Sequence, residues 1–339
     1  MRAAVLVEPR RFEVRERPRP AVAHDEALVR VSRCGICATD LHIFNGHYSA
    51  EHLPLIPGHE FTGTIEACGE QVRHVRVGQK VVVDINVGCG LCYWCRRNEV
   101  LNCPDMAQLG ISRDGGFADY VAVPARLVIP APEAADDAVL ALTEPVSCVV
   151  RAARKARAGF AQSAVILGAG PIGNLHLQMM RLVGAAPIIV ADLSEERAAM
   201  AREAGADLVV TDPEILGDEV LQATDGRGAD LAIECVGSPM LYETAFQLIR
   251  KGGHVTAFGL TEPCAKLQLD ILTTVLQENS VKGSVAGMGE DMHDALTLLL
   301  HDRFETAAFT GVSFALEEIQ QAFESFGARP RDLKTQIVL

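Results

Sequence analysis

The chain has 339 residues, 49% of them hydrophobic and 22% charged, which is enough for about two domains with full cores and argues against a disordered polymer. Basic and acidic residues number 31 and 44, for a formal charge of −13, and aromatics are 5%, so neither the field nor the stacking surface suits nucleic acid. No apolar run reaches the ~20 residues a bilayer needs and the first segment is charged throughout, so the expectation is a cytoplasmic protein with no membrane partner.

Short apolar or alternating runs come first in chain order: Ala3–Val7, Ala27–Val31, Thr62–Ala67 and Lys80–Val83. Turn residues at Pro18–Pro20, Pro57–Gly58, Gly69 and Gly78 separate them, and this texture, held to about residue 148, predicts a small barrel. Between about 150 and 285 the texture changes. Val165–Leu167, Ile188–Ala191, Leu208–Val210, Leu231–Val236 and Val255–Phe258 read as buried parallel strands. The helical stretches Ile172–Val183, Glu195–Ala204 and Leu241–Ile249 lie between them, and strand alternating with helix predicts a doubly wound sheet. Two amphipathic helices, about Asp291–His301 and Leu316–Ser325, and a final strand, Thr335–Leu339, follow. The doubly wound segment therefore reads as an insertion, residues 150–285, into a domain made of 1–149 and 286–339.

Three motifs carry chemistry. The first is Gly168–Gly173, reading GAGPIG, which follows the strand Ala164–Leu167 and opens a helix. Gly168 permits the tight turn, Gly170 lets a pyrophosphate approach the backbone, and Gly173 lets helix and strand pack closely. The helix N-terminus, opening at Pro171 and Ile172, offers its free amides, from Ile172 on, and its positive dipole to phosphate. Asp192 ends the next strand, where a carboxylate accepts from both ribose hydroxyls of NAD and repels the 2′-phosphate of NADP. Arg197 is open between a contact to the adenosine ribose and a solvated helix charge.

The second motif uses four of the ten cysteines. Cys89, Cys92, Cys95 and Cys103 have the spacing to close a tetrahedron of thiolates around zinc, with no position left for water or substrate, so such a site is structural. The third is dispersed: Cys37 with Thr39 and His42 in GICATDLH, His59 and Glu60 in PGHE, and Glu144 in LTEP. One Cys, one His and carboxylates make a mixed ligand set that leaves a position open, as catalytic zinc requires. Phe44 and Phe117 are open between lining a pocket and packing. His47 and His52 read as surface residues, and Cys34 and Cys68 as inert.

Together GICATDLH, PGHE followed by F-x-G, the four-cysteine lobe, GGFADY, LTEP and GAGPIG resemble the zinc-dependent medium-chain dehydrogenase/reductase family, the alcohol and polyol dehydrogenases, over essentially the whole chain. The resemblance implies an α/β fold: a GroES-like β-barrel catalytic domain with an inserted doubly wound Rossmann domain. It implies two zinc ions per chain and NAD, with Cys37, His59, Glu60 and Glu144 at catalytic zinc. Glu144 stands where simple alcohol dehydrogenases have a cysteine, and is preferred as ligand to Cys148 four residues on. Thr39 and His42 match the family's proton relay. Sorbitol-type members carry an arginine shortly after the last sheet strand, and the matching position here is Ala286. The expected substrate is thus a secondary hydroxyl next to another polar group, on a small polyol, diol or sugar acid. The expected assembly is a homo-oligomer, a tetramer before a dimer. Two other classes stay in view: a zinc-free NAD(P)H-dependent reductase of activated double bonds, and a non-enzymatic nucleotide-binding protein.

Overall fold

In the computed structural model, which describes residues 1–339, the strand Glu26–Gly35 is the spine of a seven-stranded sheet. In spatial order the sheet runs Val312–Ala315, Thr335–Val338, Glu26–Gly35, Glu60–Cys68, Lys80–Val83 and Val128–Pro130, with Tyr120–Pro124 also paired to the spine. Two registers matter for function. Gly35 lies opposite Glu60 on one side and opposite Gln336 on the other, so the GICATDLH segment, the PGHE turn and the strand Thr335–Val338 meet at one point. Ala3, Leu6, Val29, Ile65 and Val123 fill the core beneath. Phe44 and Phe117 belong to that core, stacked or edge-on with Phe12 and Phe323, which decides for packing over pocket lining.

The second sheet has six parallel strands: Ala164–Leu167, Ile188–Ala191, Leu208–Val210, Ala229–Glu234, Ile249–Ala257 and Ser280–Gly283. Their spatial order is third, second, first, fourth, fifth, sixth. Strand order reverses beside Ala164–Leu167, and a crevice for a ligand opens at the carboxyl ends there. The AVIL run of that strand is buried at every position, as helices on both faces require. The α/β architecture of a GroES-like barrel with an inserted Rossmann sheet is therefore present. Helix Glu290–Leu300 packs on helix Thr143–Ala156, and Ala295, Leu299, Phe304, Phe309 and Leu333 join the core that holds Ile166 and Ile233. No helix is long and apolar enough to cross a membrane.

Differences from the predicted elements have local causes. The strand expected at Leu231–Val236 stops at Glu234, because the Glu234 carboxylate accepts from the amides of Val236, Gly237 and Ser238 and turns the chain. The helix expected over Leu316–Ser325 is a 3₁₀ turn, Leu316–Glu318, followed by Ile319–Glu324. Helix Leu216–Ala223 buries only Leu216 and Val220, too little to show in the sequence pattern.

Candidate active site and metal centres

The spine strand ends at Gly35 and delivers Cys37 to the N-cap of helix Ala38–Phe44. Asp40, three residues on, accepts from the Cys37 amide at 2.9 Å and from the Gly58 amide at 3.3 Å, and stands 3.3 Å from His59 Nδ1. This fully buried carboxylate fastens the GICATDLH helix to the PGHE turn. The donor atoms of Cys37, His59 and Glu60 come within 4.8 Å of one another. Glu60 Oε1 accepts from Lys334 Nζ at 2.6 Å, while the buried Oε2 has no hydrogen-bond partner. A Cβ built on Gly35 would lie 2.2 Å from that oxygen, so the backbone has been pared away to admit it. An orphaned buried carboxylate oxygen beside a thiol and an imidazole fits a zinc ion, which takes O, N and S ligands.

Glu144 starts the helix Thr143–Ala156 and is buried, but its carboxylate does not come within 4.8 Å of all three of those donors. Cys148 Sγ donates to its Oε1 at 3.4 Å. Burial lifts the Glu144 carboxyl to about 7; Glu60 adds to the rise, and His59 and Lys334 oppose it. Burial works against the protonated form of His59, but Asp40 and Cys37 outweigh it and raise its pKa. Lys334 is likewise raised: burial opposes the ammonium, and Glu60, Cys37 and Glu144 overcome that.

Cys37, His59, Glu60 and Glu144 face a cavity of about 180 Å³ that residues of both sheets' domains line, among them Thr39, His42, Cys148, Ile172, Val236 and Phe258. That is below the roughly 300–1,000 Å³ typical of drug-sized sites. Thr39 and His42, three apart on one helix face, both reach it, and His42 also borders an outer pocket with His47, Tyr48 and Glu262. Ala286 lines the cavity with a left-handed backbone, φ +48°.

The sulfur atoms of Cys89, Cys92, Cys95 and Cys103 also fall within 4.8 Å of one another, and none is in a disulfide. Backbone amides of Leu91 and Cys92 point at Cys89 Sγ, and the Cys95 amide points at Cys92 Sγ. The two amide bonds lower the Cys89 thiol to about 7. Cys95 goes the other way, pushed up to about 12 by burial and by the neighbouring sulfurs, so it is Cys89 that is prepared to be a thiolate, the form zinc binds.

At the glycine turn, Gly168 has φ +99° and a Cβ on Gly173 would lie 1.8 Å from the Gly168 carbonyl oxygen, so both must be glycine. Gly170 N-caps helix Pro171–Leu182 and has open space above it; the nearest atom to a built Cβ is Arg197 Nη1, at 3.9 Å. Asp192 Oδ2 accepts from the Ala169 amide at 2.7 Å and Oδ1 from the Ser194 amide at 2.9 Å. It holds the turn itself, directly after the strand Ile188–Ala191.

Asp40 and Lys334 were absent from the expected site. Asp40 carries a signal, since an acidic residue three past an N-cap is a capping-box position. Lys334 lies 274 residues from Glu60 and carries none.

Comparison with known proteins agrees with this geometry. Residues 23–133 match the alcohol dehydrogenase GroES-like domain and residues 171–301 the zinc-binding dehydrogenase family. The D-arabinitol dehydrogenase 1 of Uromyces fabae is 30% identical over 97% of this chain and 95% of its own. An alcohol dehydrogenase of Geobacillus stearothermophilus is 32% identical over 96% and 95%. Among solved structures, a protein described as a zinc-binding dehydrogenase from Sinorhizobium meliloti, bound to NADP, superposes with a TM-score of 0.92 at 29% identity, covering 100% of this chain and 99% of that one. The fold and site define a zinc-binding, nicotinamide-dependent oxidoreductase. The chain belongs to the zinc-dependent medium-chain dehydrogenase family.

Proposed function

We propose that this protein transfers a hydride from the carbon of a secondary alcohol group, on a small polyol, diol or sugar derivative, to NAD⁺. The observation that carries the reading is the Cys37–His59–Glu60 cluster in a small cavity that residues of both domains line. Residues 1–149 and 286–339 carry the metals and 150–285 the cofactor. Cys37, His59 and Glu60, with Glu144 reaching through a water, would hold one zinc, and Cys89, Cys92, Cys95 and Cys103 a second. Bound at the first site, zinc supplies the Lewis acidity that makes an alcohol easier to deprotonate.

The chain's own groups do the rest. Thr39 Oγ1 would accept the hydroxyl proton as it gives up its own, which passes by way of a ribose hydroxyl, when NAD is bound, to His42; His42 borders both the cavity and the outer pocket and hands a proton to solvent. Asp40 fixes the Cys37 and Gly58 backbones, and with them the ligands. Gly168, Gly170 and Gly173, with the amides of Ile172 and Gly173 behind Pro171 at the start of the helix, seat the pyrophosphate; Asp192 takes the ribose and excludes a 2′-phosphate, and Arg197 flanks the seat. Ile172, Val236 and Phe258 keep the reacting atoms dry.

The reading includes a cytoplasmic homo-oligomer, a tetramer, with no nucleic-acid or membrane partner. The exposed edge strand Ser280–Gly283, flanked by exposed Ile271, Leu272, Val275 and Leu276, supports pairing with a second copy. A zinc-free reductase of activated double bonds has no use for either cluster.

The test is NAD⁺ reduction across polyols, vicinal diols, sugar acids, hydroxy acids and simple alcohols, in the parent and in Cys37→Ala. The expected result is turnover of diols or polyols above ethanol, lost in Cys37→Ala together with about one zinc per chain, with NADH binding kept. A higher kcat/KM for ethanol than for every diol and polyol, or full activity in Cys37→Ala, refutes the reading.

A further inference from the structure

Resting on that alcohol-oxidising reading, we infer that Gln108 is a specificity-determining residue: its carboxamide oxygen accepts a hydrogen bond from a second hydroxyl on the carbon next to the one oxidised. Gln108 lines the cavity and is half-buried. Its Nε2 donates to Asn86 Oδ1 at 2.9 Å, and its Oε1 has no partner within the protein.

Chemistry fixes which way each amide points. Asn86, 1% exposed, sends its Nδ2 to Asp84 Oδ1 at 2.8 Å and to the Gly287 carbonyl at 2.9 Å. A backbone carbonyl can only accept. Asp84 must accept too, because it also takes the Asn86 amide at 3.0 Å and the Gly289 amide at 2.8 Å. The nitrogen of Asn86 therefore faces them, and its oxygen is left for Gln108. Gln108 must then donate to Asn86, which leaves Oε1 for a ligand. The chain Asp84–Asn86–Gln108 is thus polarised in one sense, from a buried carboxylate to an acceptor at the cavity wall.

The chain also ends where the site needs it. Asn86 holds Gly287, the residue after Ala286, so Gln108 is one hydrogen-bonded residue away from the wall where a methyl group stands in place of the expected arginine. An arginine offers only donors; Gln108 Oε1 offers only lone pairs. A neighbouring hydroxyl can donate to it, a hydrogen cannot, and a carboxylate sets lone pairs against lone pairs. The favoured substrate is a vicinal diol or polyol rather than a mono-alcohol or a hydroxy acid.

The test uses intact enzyme with 2,3-butanediol, 2-butanol and 2-hydroxybutyrate. One neutral hydrogen bond corresponds to about a tenfold preference. The expected kcat/KM for the diol is therefore about tenfold or more above 2-butanol, with 2-hydroxybutyrate below the diol. In Gln108→Leu the ratio of diol to 2-butanol should fall about tenfold. Calorimetric binding of the two alcohols to the NADH complex should show the same fall without turnover. A parent ratio near one, a hydroxy acid above the diol, or an unchanged ratio in Gln108→Leu overturns the inference. If none of the three compounds is oxidised, the alcohol-oxidising reading fails, and the calorimetric ratio still decides the role of Gln108.

Discussion

Lys334→Met removes one charge from the floor of the site and keeps the stem. Lys334 Nζ donates to Glu60 Oε1 at 2.6 Å and to the Ile36 carbonyl at 3.3 Å. The two side chains are 4% and 1% exposed. Were the pair at the surface, it would be worth about 1 kcal/mol or less. Breaking a buried pair on one side costs about 3–5 kcal/mol, because the remaining carboxylate keeps its desolvation cost and loses its counter-charge. Glu60 is fully buried, so the carboxylate left behind has no water to turn to where it stands. Metal-free Lys334→Met should therefore lose about 3–5 kcal/mol. In the double variant with Glu60→Gln, the neutral amide should restore at least half of that. The assay is urea unfolding of chelated protein by circular dichroism, read on the transition that also changes the emission of Trp94, the chain's one tryptophan. A loss below about 1 kcal/mol, or a double variant less stable than the single, would mean that Glu60 is not a buried carboxylate held by Lys334.

Three further perturbations follow from the same structure. Cys95→Ser should lower the melting temperature and shift Trp94 emission more than it changes the rate per folded molecule, since a closed four-sulfur site contributes folding energy; a purely kinetic defect at parental stability contradicts this. Asp192→Gly should cut the NAD⁺-to-NADP⁺ ratio of kcat/KM by about 10–100-fold, the worth of a charge-assisted hydrogen bond, and should weaken both cofactors because the Ala169 and Ser194 amides lose their acceptor; a parent enzyme that prefers NADP⁺ contradicts it. His176, fully buried edge-on to Phe258 with neither ring nitrogen bonded, is held by burial at about 3, against 6.5 when unfolded. The unfolded chain takes up the proton first, so stability is full above 6.5 and falls with pH toward 3, by about 2 kcal/mol between pH 7 and pH 5. His176→Leu should remove that slope in paired unfolding curves, and an unchanged slope assigns it to other groups.

What the sequence discloses follows range. Ala164–Leu167, the glycine turn and Asp192 are legible because strand, turn, helix and next strand are neighbours in the chain and each step has its own residue chemistry. The cysteine lobe is legible for the same reason, as four ligands fall within fifteen positions. The open site is only partly so. Cys37, His59 and Glu60 converge because Gly35 pairs with Glu60 across two strands, a register that local pattern does not specify. Asp40 was overlooked because an acidic residue in a first helical turn usually serves as a cap, and only burial shows that it also braces a second segment. Lys334 and the Asp84–Asn86–Gln108 chain depend on contacts between distant segments, and an isolated lysine, asparagine or glutamine says nothing about its partner.

The strand Thr335–Val338 follows every other element in sequence, yet it pairs with the spine at Gly35, and Lys334 just before it neutralises Glu60. Cys37, His59 and Glu60 are therefore synthesised long before the group that makes the burial of the Glu60 carboxylate tolerable. On the ribosome, Cys37, His59 and Glu60 wait with one edge of their sheet unpaired and one carboxylate uncompensated while the whole nucleotide-binding segment is made. A nascent chain stalled before residue 334 therefore lacks both the strand that pairs beside Gly35 and the ammonium that meets Glu60.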